Sequence, residues 1–369
     1  MAAGTLTFVG LGLHDEKGLT LKGLEAAKKA DVVFAELYTS LMPDLSLRRL
    51  EELIGKPIRL VSRAMLEEQD AEPIMTEAER GRDVVLLVPG DPMVATTHVA
   101  VRLRAERSGV KTRVIHAPSI ISAVVGLTGL QAYKFGRTTT ITYPEGGLLS
   151  EAPYRAVVEN KARGLHTICL LDVRAEEGRF MTVREGLEIM LELEERLGKG
   201  AVRPDSLAVG IARAGSNEPV VRAGSVEELL DYDFGSPPHT LVFPGQLHFM
   251  EAEALKALAD APDWLVERAK RGEVPLTLER EAEELAERYV RNLDHAFSTL
   301  KIREGHEARE VEESRLRHVL DLAERYHEDA ERFLEAGKHL TSIAAASYAE
   351  GLIDALRLLG LVDFEWPRT

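Results

Sequence analysis

Up to about residue 260 the chain alternates short apolar runs with amphipathic stretches, and this alternation constrains the fold more than any other feature. TLTFVGLGL, DVVFAELY, PIRLVS, DVVLLVPG and TRVIHAPS have the length and composition of buried strands. Between them, LTLKGLEAAKKA and THVAVRLRAERSG repeat Leu, Ala and Val at helical intervals. A strand that is apolar on both faces must be covered on both, so the pattern predicts an α/β fold with a parallel sheet and helices on its faces. A second series follows FGRTTT: TTTITYPEG, HTICLLDVR, SLAVGIARAG, EPVVRAG and HTLVFPG, with helices near EAPYRAVVENKARG, TVREGLEIMLELEERL and FMEAEALKALA. Two α/β domains are expected, residues 1–137 and 138–262.

After residue 262 the texture changes. Only 5 of the 29 glycines and 2 of the 16 prolines fall in residues 263–369, and no β-type run is evident there. PLTLEREAEELAERYVRNLDHAFSTL, REVEESRLRHVLDLAERYHEDAERFLEAG and HLTSIAAASYAEGLIDALRLLG each read as a long helix with an apolar stripe. An all-α third domain, residues 263–369, is therefore expected, joined through DAPDW. Its 16 basic and 24 acidic residues suit a solvated bundle rather than a nucleic-acid surface.

With 369 residues the chain can build more than one core without metals or disulfides. Its one cysteine, Cys169, lies inside the apolar HTICLLD, which excludes a disulfide framework and favours a core role, since apolar burial raises a thiol pKa. The N-terminus carries no basic n-region and no stretch reaches the 18 or so apolar residues of a membrane span, so a cytoplasmic location is expected. A net charge of −15 argues against direct nucleic-acid binding.

In parallel α/β sheets, ligands bind beyond the carboxyl ends of strands, and the informative loops all fall there. Gly10 and Gly12 begin a G-x-G, but Asp15 stands where a third glycine would complete a dinucleotide fingerprint, and no P-loop motif occurs. In VPGDPMVATTH, Pro89 and Pro92 stiffen the backbone and Gly90 permits a turn, so Asp91 sits on a rigid loop that leads into a helix capped at Thr96 or Thr97. Capping and ligand contact stand side by side as roles for Asp91, and likewise for Ser119, which opens IISAVVGLTG. His98, His116 and His239 are single histidines near strand ends, with a structural role as the default. No spacing of His, Cys, Asp or Glu makes a metal site, and the five tail histidines are scattered singly.

VGLGLHDEKGLTLKGLEAAKKADVVFAELYTS, PGDPMVATTH, HAPSIISAV, YKFGRTTTITYPEG, GLHTICLLDVRAE and ARAGS…GSPPHTLVFPGQLHFMEAEAL together closely resemble the diphthine synthases, over about residues 4–260. These belong to the wider group of tetrapyrrole-methylase-like enzymes. The resemblance implies two α/β domains with parallel or mixed sheets that bind S-adenosylmethionine in the cleft between them. It implies that Leu13, Asp91, Val94, Ser119, Ile120, Leu171, Ala214 and His239 line the donor site. It also implies N-methylation of the 3-amino-3-carboxypropyl side chain built on one histidine of translation elongation factor 2, and a homodimer. It assigns no catalytic residue and no metal. GLGLHD departs from the G-x-G-P-G-D of tetrapyrrole methylases proper, with Leu13 and His14 in place of Pro-Gly, which favours the diphthine branch. Methylation of a corrin-type precursor is the alternative within enzymes, and a donor-binding scaffold in translation is the alternative outside them. HLTSIAAASYAEGLIDALRLLG resembles a small archaeal helical domain of unknown function, so a fusion is expected, with two roles open to it: an interaction module that docks the elongation factor or stabilises a dimer, or a tethered neighbour with unrelated work.

Overall fold

The computed structural model describes residues 4–271, 276–302 and 310–367. The chain divides into two compact units, residues 1–273 and 274–369.

The first unit holds two five-stranded sheets. In the first, β1 (Thr5–Gly10), β2 (Val32–Glu36), β3 (Ile58–Val61), β4 (Val84–Val88) and β5 (Lys111–Ile115) are all parallel, in the order β3-β2-β4-β1-β5. The central strands read as unbroken apolar runs because both of their faces are covered. Leu6, Phe8, Leu86 and Ile74 pack on one face, with α3 (Glu72–Glu79) and α4 (His98–Arg107). Val9, Leu87, Ala27 and Leu50 pack on the other, with α1 (Leu21–Lys29) and α2 (Leu47–Ile54).

The second sheet runs β11-β10-β12-β7-β6, from β6 (Thr139–Ile141), β7 (Thr167–Leu171), β10 (Leu207–Ala212), β11 (Val220–Ser225) and β12 (His239–Phe243). Only β6 and β7 pair in parallel, and the other three pairings are antiparallel. A short hairpin, β8 (Val173–Arg174) with β9 (Arg179–Phe180), follows β7. One face is covered by α6 (Ala152–Lys161), α7 (Val183–Leu197) and α8 (Val226–Asp231), around Tyr154, Leu187, Met190 and the fully buried Cys169. Burial pushes the Cys169 thiol up, so it is a core side chain.

The opposite face takes α5 (Ile120–Thr128), α9 (Phe249–Ala259) and α10 (Asp263–Arg271). Although α5 follows β5 directly, its Val124 joins Ile168, Val209 and Val242, so packing passes from the first sheet to the second at Ser119 rather than at residue 137. Leu265, Val266 and Ala269 of α10 join the same cluster, which carries this unit past the boundary expected at residue 262. Glu251 at the start of α9 fastens this side. It is fully buried and accepts from His166 Nε2 at 2.9 Å, Lys134 Nζ at 2.5 Å, and the N–H groups of Gln131 and His248 at 2.9 and 2.8 Å.

The second unit is built on α11 (Leu276–Thr299), α12 (Glu310–Glu335) and α13 (His339–Leu358). Leu293, Ala296, Ala323, Ala330, Ala346, Ala349 and Ile353 form its core, where small side chains let helices approach closely. Among the described residues, its one departure from the all-α expectation is a two-residue ladder, β13 (Lys301–Ile302) against β14 (Val362–Asp363). Among the described residues, no helix is long and apolar enough to cross a membrane.

Candidate functional site

The carboxyl ends of the first sheet's strands face the second sheet across a cavity of about 260 Å³. Its wall is built in two halves. The first sheet contributes the loops after all five strands, from Leu13, Thr39, Arg63, Asp91 and Ser119 among others. The second contributes Leu170–Val173 at the end of β7, Ala214 beyond β10, and Pro238–Thr240 at the start of β12. All eight residues expected from sequence, Leu13, Asp91, Val94, Ser119, Ile120, Leu171, Ala214 and His239, border this one cavity.

The glycines that suggested a dinucleotide turn have a local cause. Gly90 N–H donates to Gly12 O at 2.8 Å and Gly12 N–H to Gly90 O at 3.2 Å, both residues being left-handed at φ +68° and +74°. Only glycine takes that conformation cheaply. A Cβ on Gly10 would lie 2.5 Å from Gly90 O and 2.7 Å from Ala117 Cβ, so the loops after β1, β4 and β5 close on one point. Asp15, which interrupts the fingerprint, accepts from Lys17 N–H at 3.0 Å as the cap of a single 3₁₀ turn.

Asp91 is buried in the next loop. One carboxylate oxygen accepts from Met93 N–H at 3.0 Å and the other meets His116 Nδ1 at 2.8 Å, which fixes the loop in an Asx turn. His116 is mostly exposed. His98 is buried beneath, its Nδ1 3.2 Å from Pro92 O and its Nε2 3.8 Å from Glu36 at the end of β2. Burial pushes the Glu36 carboxyl up to about 7, against hydrogen bonds from Thr39 and Tyr38 and the Arg63 charge. Burial likewise lowers the His98 pKa, so its ring is neutral.

The helix after this loop starts at His98 with Thr97 in the capping position, yet the Thr97 hydroxyl turns to Glu67 at 3.3 Å instead. Thr96 Oγ1 is buried without a hydrogen-bond partner. Ser119 precedes α5 as its cap residue, and Ser122 Oγ accepts from its N–H at 3.2 Å. His239 accepts from Val183 N–H at Nδ1, at 3.2 Å, which places its ring proton on Nε2, an atom with no hydrogen-bond partner. Burial holds this ring below the usual imidazole range, hence neutral.

Backbone strain gathers here. His14 and Ala95 border the cavity and Arg213 adjoins Ala214, at φ +77°, +53° and +52°, half of the six non-glycine residues with left-handed backbone among those described. Each costs free energy that surrounding packing must offset.

Several lining residues were not foreseen: Thr39, Ser40, Leu41, Met42, Arg63 and Asp172. The signal was present, because DVVFAELY and PIRLVS are also strands that end on the same side. Chemically, the cavity combines apolar walls (Leu13, Val94, Ile120, Leu171) with few polar atoms that lack partners and, among the described residues, a single permanently cationic side chain, Arg63. That suits a mixed ligand with a polarised apolar body.

Residues 5–230 match the family of tetrapyrrole (corrin/porphyrin) methylases, and residues 288–362 match a family of proteins of unknown function, DUF357. A diphthine synthase of Methanocella arvoryzae is 51% identical over 69% of this chain and 98% of its own length. One from Methanocaldococcus jannaschii is 48% identical over 69% of this chain and 99% of its own. A crystal structure of diphthine synthase superposes with a TM-score of 0.64 at 43% identity, over 72% of this chain and 99% of the other.

Proposed function

Because the chain belongs to the diphthine synthase family of the tetrapyrrole methylases, we propose that it methylates the amino group of the 3-amino-3-carboxypropyl side chain on a histidine of translation elongation factor 2, giving diphthine. The donor in this reading is S-adenosylmethionine, held in the cavity between the two sheets by Leu13, Asp91, Val94, Ser119, Ile120, Leu171, Ala214 and His239. The observation that carries it is the convergence of these eight residues on one cavity.

The residues present fit such a donor. Leu13, Val94, Ile120 and Leu171 offer apolar surface to a nucleoside, while Thr96 Oγ1 and His239 Nε2 are buried polar atoms awaiting partners. When bound, the donor supplies an activated methyl group on a sulfonium. The chain's own residues then have three tasks. The Gly12–Gly90 pairing and the Asp91–His116 contact hold the loops rigid, so little ordering cost remains at binding. The apolar walls exclude water. The two halves together align donor and acceptor, an effect that reaches about 7–11 kcal/mol in well-oriented systems. An amine attacks as the free base, so before each transfer the acceptor ammonium gives up one proton to solvent or a cavity carboxylate.

A homodimer goes with this reading and is checked by analytical ultracentrifugation. The activity is tested by incubating the chain with labelled donor and elongation factor 2 bearing the unmethylated side chain. Transfer to that histidine, with a mass gain of up to three methyl groups, is expected. Label on a tetrapyrrole precursor alone, or donor binding without any transfer, overturns it.

A further inference from the structure

We propose that the part of the cavity formed by the loops after β2 and β3 is the acceptor subsite, and that Arg63 binds the carboxylate of the acceptor side chain. This rests on the function proposed above and names how its substrate is held.

Strand order supplies the first argument. In β3-β2-β4-β1-β5, the first-sheet residues assigned to the donor come from the loops after β4, β1 and β5. The loops after β2 and β3 occupy the other side of β4. They bring Thr39, Ser40, Leu41, Met42 and Arg63 to the same cavity with no donor role assigned to any of them.

Charge supplies the second. Among the described residues, Arg63 is the only Lys or Arg that borders the cavity, and no carboxylate lies within 4.0 Å of its guanidinium. The guanidinium rests over the Tyr38 ring, 5.4 Å from its centroid, a packing that steadies the plane and leaves its edge N–H groups available. Glu36 senses this charge through space, but its oxygens are taken by the N–H groups of Tyr38 and Thr39, at 3.2 Å each, and by the Thr39 hydroxyl at 2.6 Å.

Local backbone supplies the third. Arg63 stands at the entry of a five-residue π-helical turn, Ala64–Glu68. Such turns are uncommon and concentrate at functional sites.

The substrate's chemistry closes the case. The amine to be methylated and a carboxylate share one carbon. A guanidinium clamped on the carboxylate through two parallel hydrogen bonds fixes the position of the nitrogen two bonds away. The carboxylate is unchanged by methylation, so the same anchor serves every round while the nitrogen gains bulk and finally a fixed charge.

The test uses the full chain and the variants Arg63→Gln and Arg63→Lys, with unchanged circular dichroism and melting temperature as the check on folding. Affinity for S-adenosylhomocysteine is measured by calorimetry, and methyl transfer to the modified elongation factor by steady-state kinetics. The expected result is a KM for the factor raised at least 30-fold in Arg63→Gln, partly restored in Arg63→Lys, with nucleoside affinity within twofold of wild type. An equal loss of nucleoside affinity would assign Arg63 to the donor's own carboxylate and overturn the proposal, as would an unchanged KM. If the wild type binds the nucleoside yet transfers nothing to the factor, the proposed function fails and this inference with it. If the wild type transfers and Arg63→Gln matches it, only the inference fails.

Discussion

Gly215 stands against Leu13: a Cβ built on Gly215, whose φ is +90°, would lie 2.4 Å from the Leu13 Cβ. Leu13 belongs to the loop after the first strand of the first sheet, and Gly215 to a loop of the second, so this contact ties the two halves of the cavity wall together. Gly215→Ala is expected to cost about 1–3 kcal/mol of stability, through strain at positive φ and overpacking. It is also expected to weaken S-adenosylhomocysteine binding. The double variant Leu13→Gly/Gly215→Ala removes the Cβ that is struck but not the φ strain, so a double-mutant cycle by urea denaturation should show positive coupling.

Asp91→Ala removes the carboxylate that accepts from Met93 N–H and meets His116 Nδ1. Donor-product affinity is expected to fall at least tenfold by calorimetry. His116→Ala should cost threefold or less, because the His116 side chain is 72% exposed and its removal leaves the Asx turn intact. Equal losses in the two variants would show that the ring rather than the turn holds the loop.

Glu36 predicts a pH dependence. Its folded pKa is about 7, raised from 4.5 by burial, so the native state binds its proton more tightly than the unfolded chain does. The associated stability is fully present below pH 4.5 and is lost as pH rises through 7. By pH 8 the accumulated cost is about 3 kcal/mol. Glu36→Gln should remove this downward slope, seen as a flatter plot of urea midpoint against pH. His98, lowered by burial, acts in the opposite sense as pH falls below 6.5 and stays as background in both proteins.

Glu251 has the opposite sign. Burial would raise its pKa, but hydrogen bonds from His166, Lys134, His248 and Gln131 hold it at about 2. Its contribution is therefore present above pH 4.5 and is lost as pH falls toward 2. Glu251→Gln at neutral pH should cost about 3–5 kcal/mol, because buried donors lose a charged partner. That difference from wild type should shrink below pH 4.5, measured by chemical denaturation.

Truncation tests where the first unit ends. A chain stopped at Pro262 loses Leu265, Val266 and Ala269, which are 0%, 0% and 6% exposed in the second sheet's apolar cluster. It should be less stable than a chain stopped at Arg271 by about 3–5 kcal/mol, from the burial of Leu265 and Val266 alone. Thermal melts of the two truncations give the comparison.

The strands and the loops that build the cavity were legible because apolar runs and turn residues are local signals. Leu13, Asp91 and Ser119 each follow such a run, and each borders the cavity. Strand direction in the second sheet was not legible, since a strand buried on both faces has the same composition whether its neighbours run parallel or antiparallel. The transfer of α5 to the second sheet was hidden for a similar reason: Val124 would be apolar against either sheet. The α10 residues Leu265 and Val266 read as the start of the helical tail, because an amphipathic stripe does not say which surface it covers. Arg63 carried no signal of its own, as a lone arginine after a strand is ordinary until strand order brings it beside the cavity.

The seclusion of Cys169 has a practical corollary. With the only native thiol 0% exposed and resistant to ionisation, the wild-type chain is silent toward maleimides and nitroxide reagents under native conditions. A cysteine introduced at Leu41 and another at Val173, on the rims contributed by the two sheets, would be the only positions to take a spin label. The width of the cleft could then be followed in solution as nucleoside and protein substrate arrive, with no need to engineer a cysteine-free background.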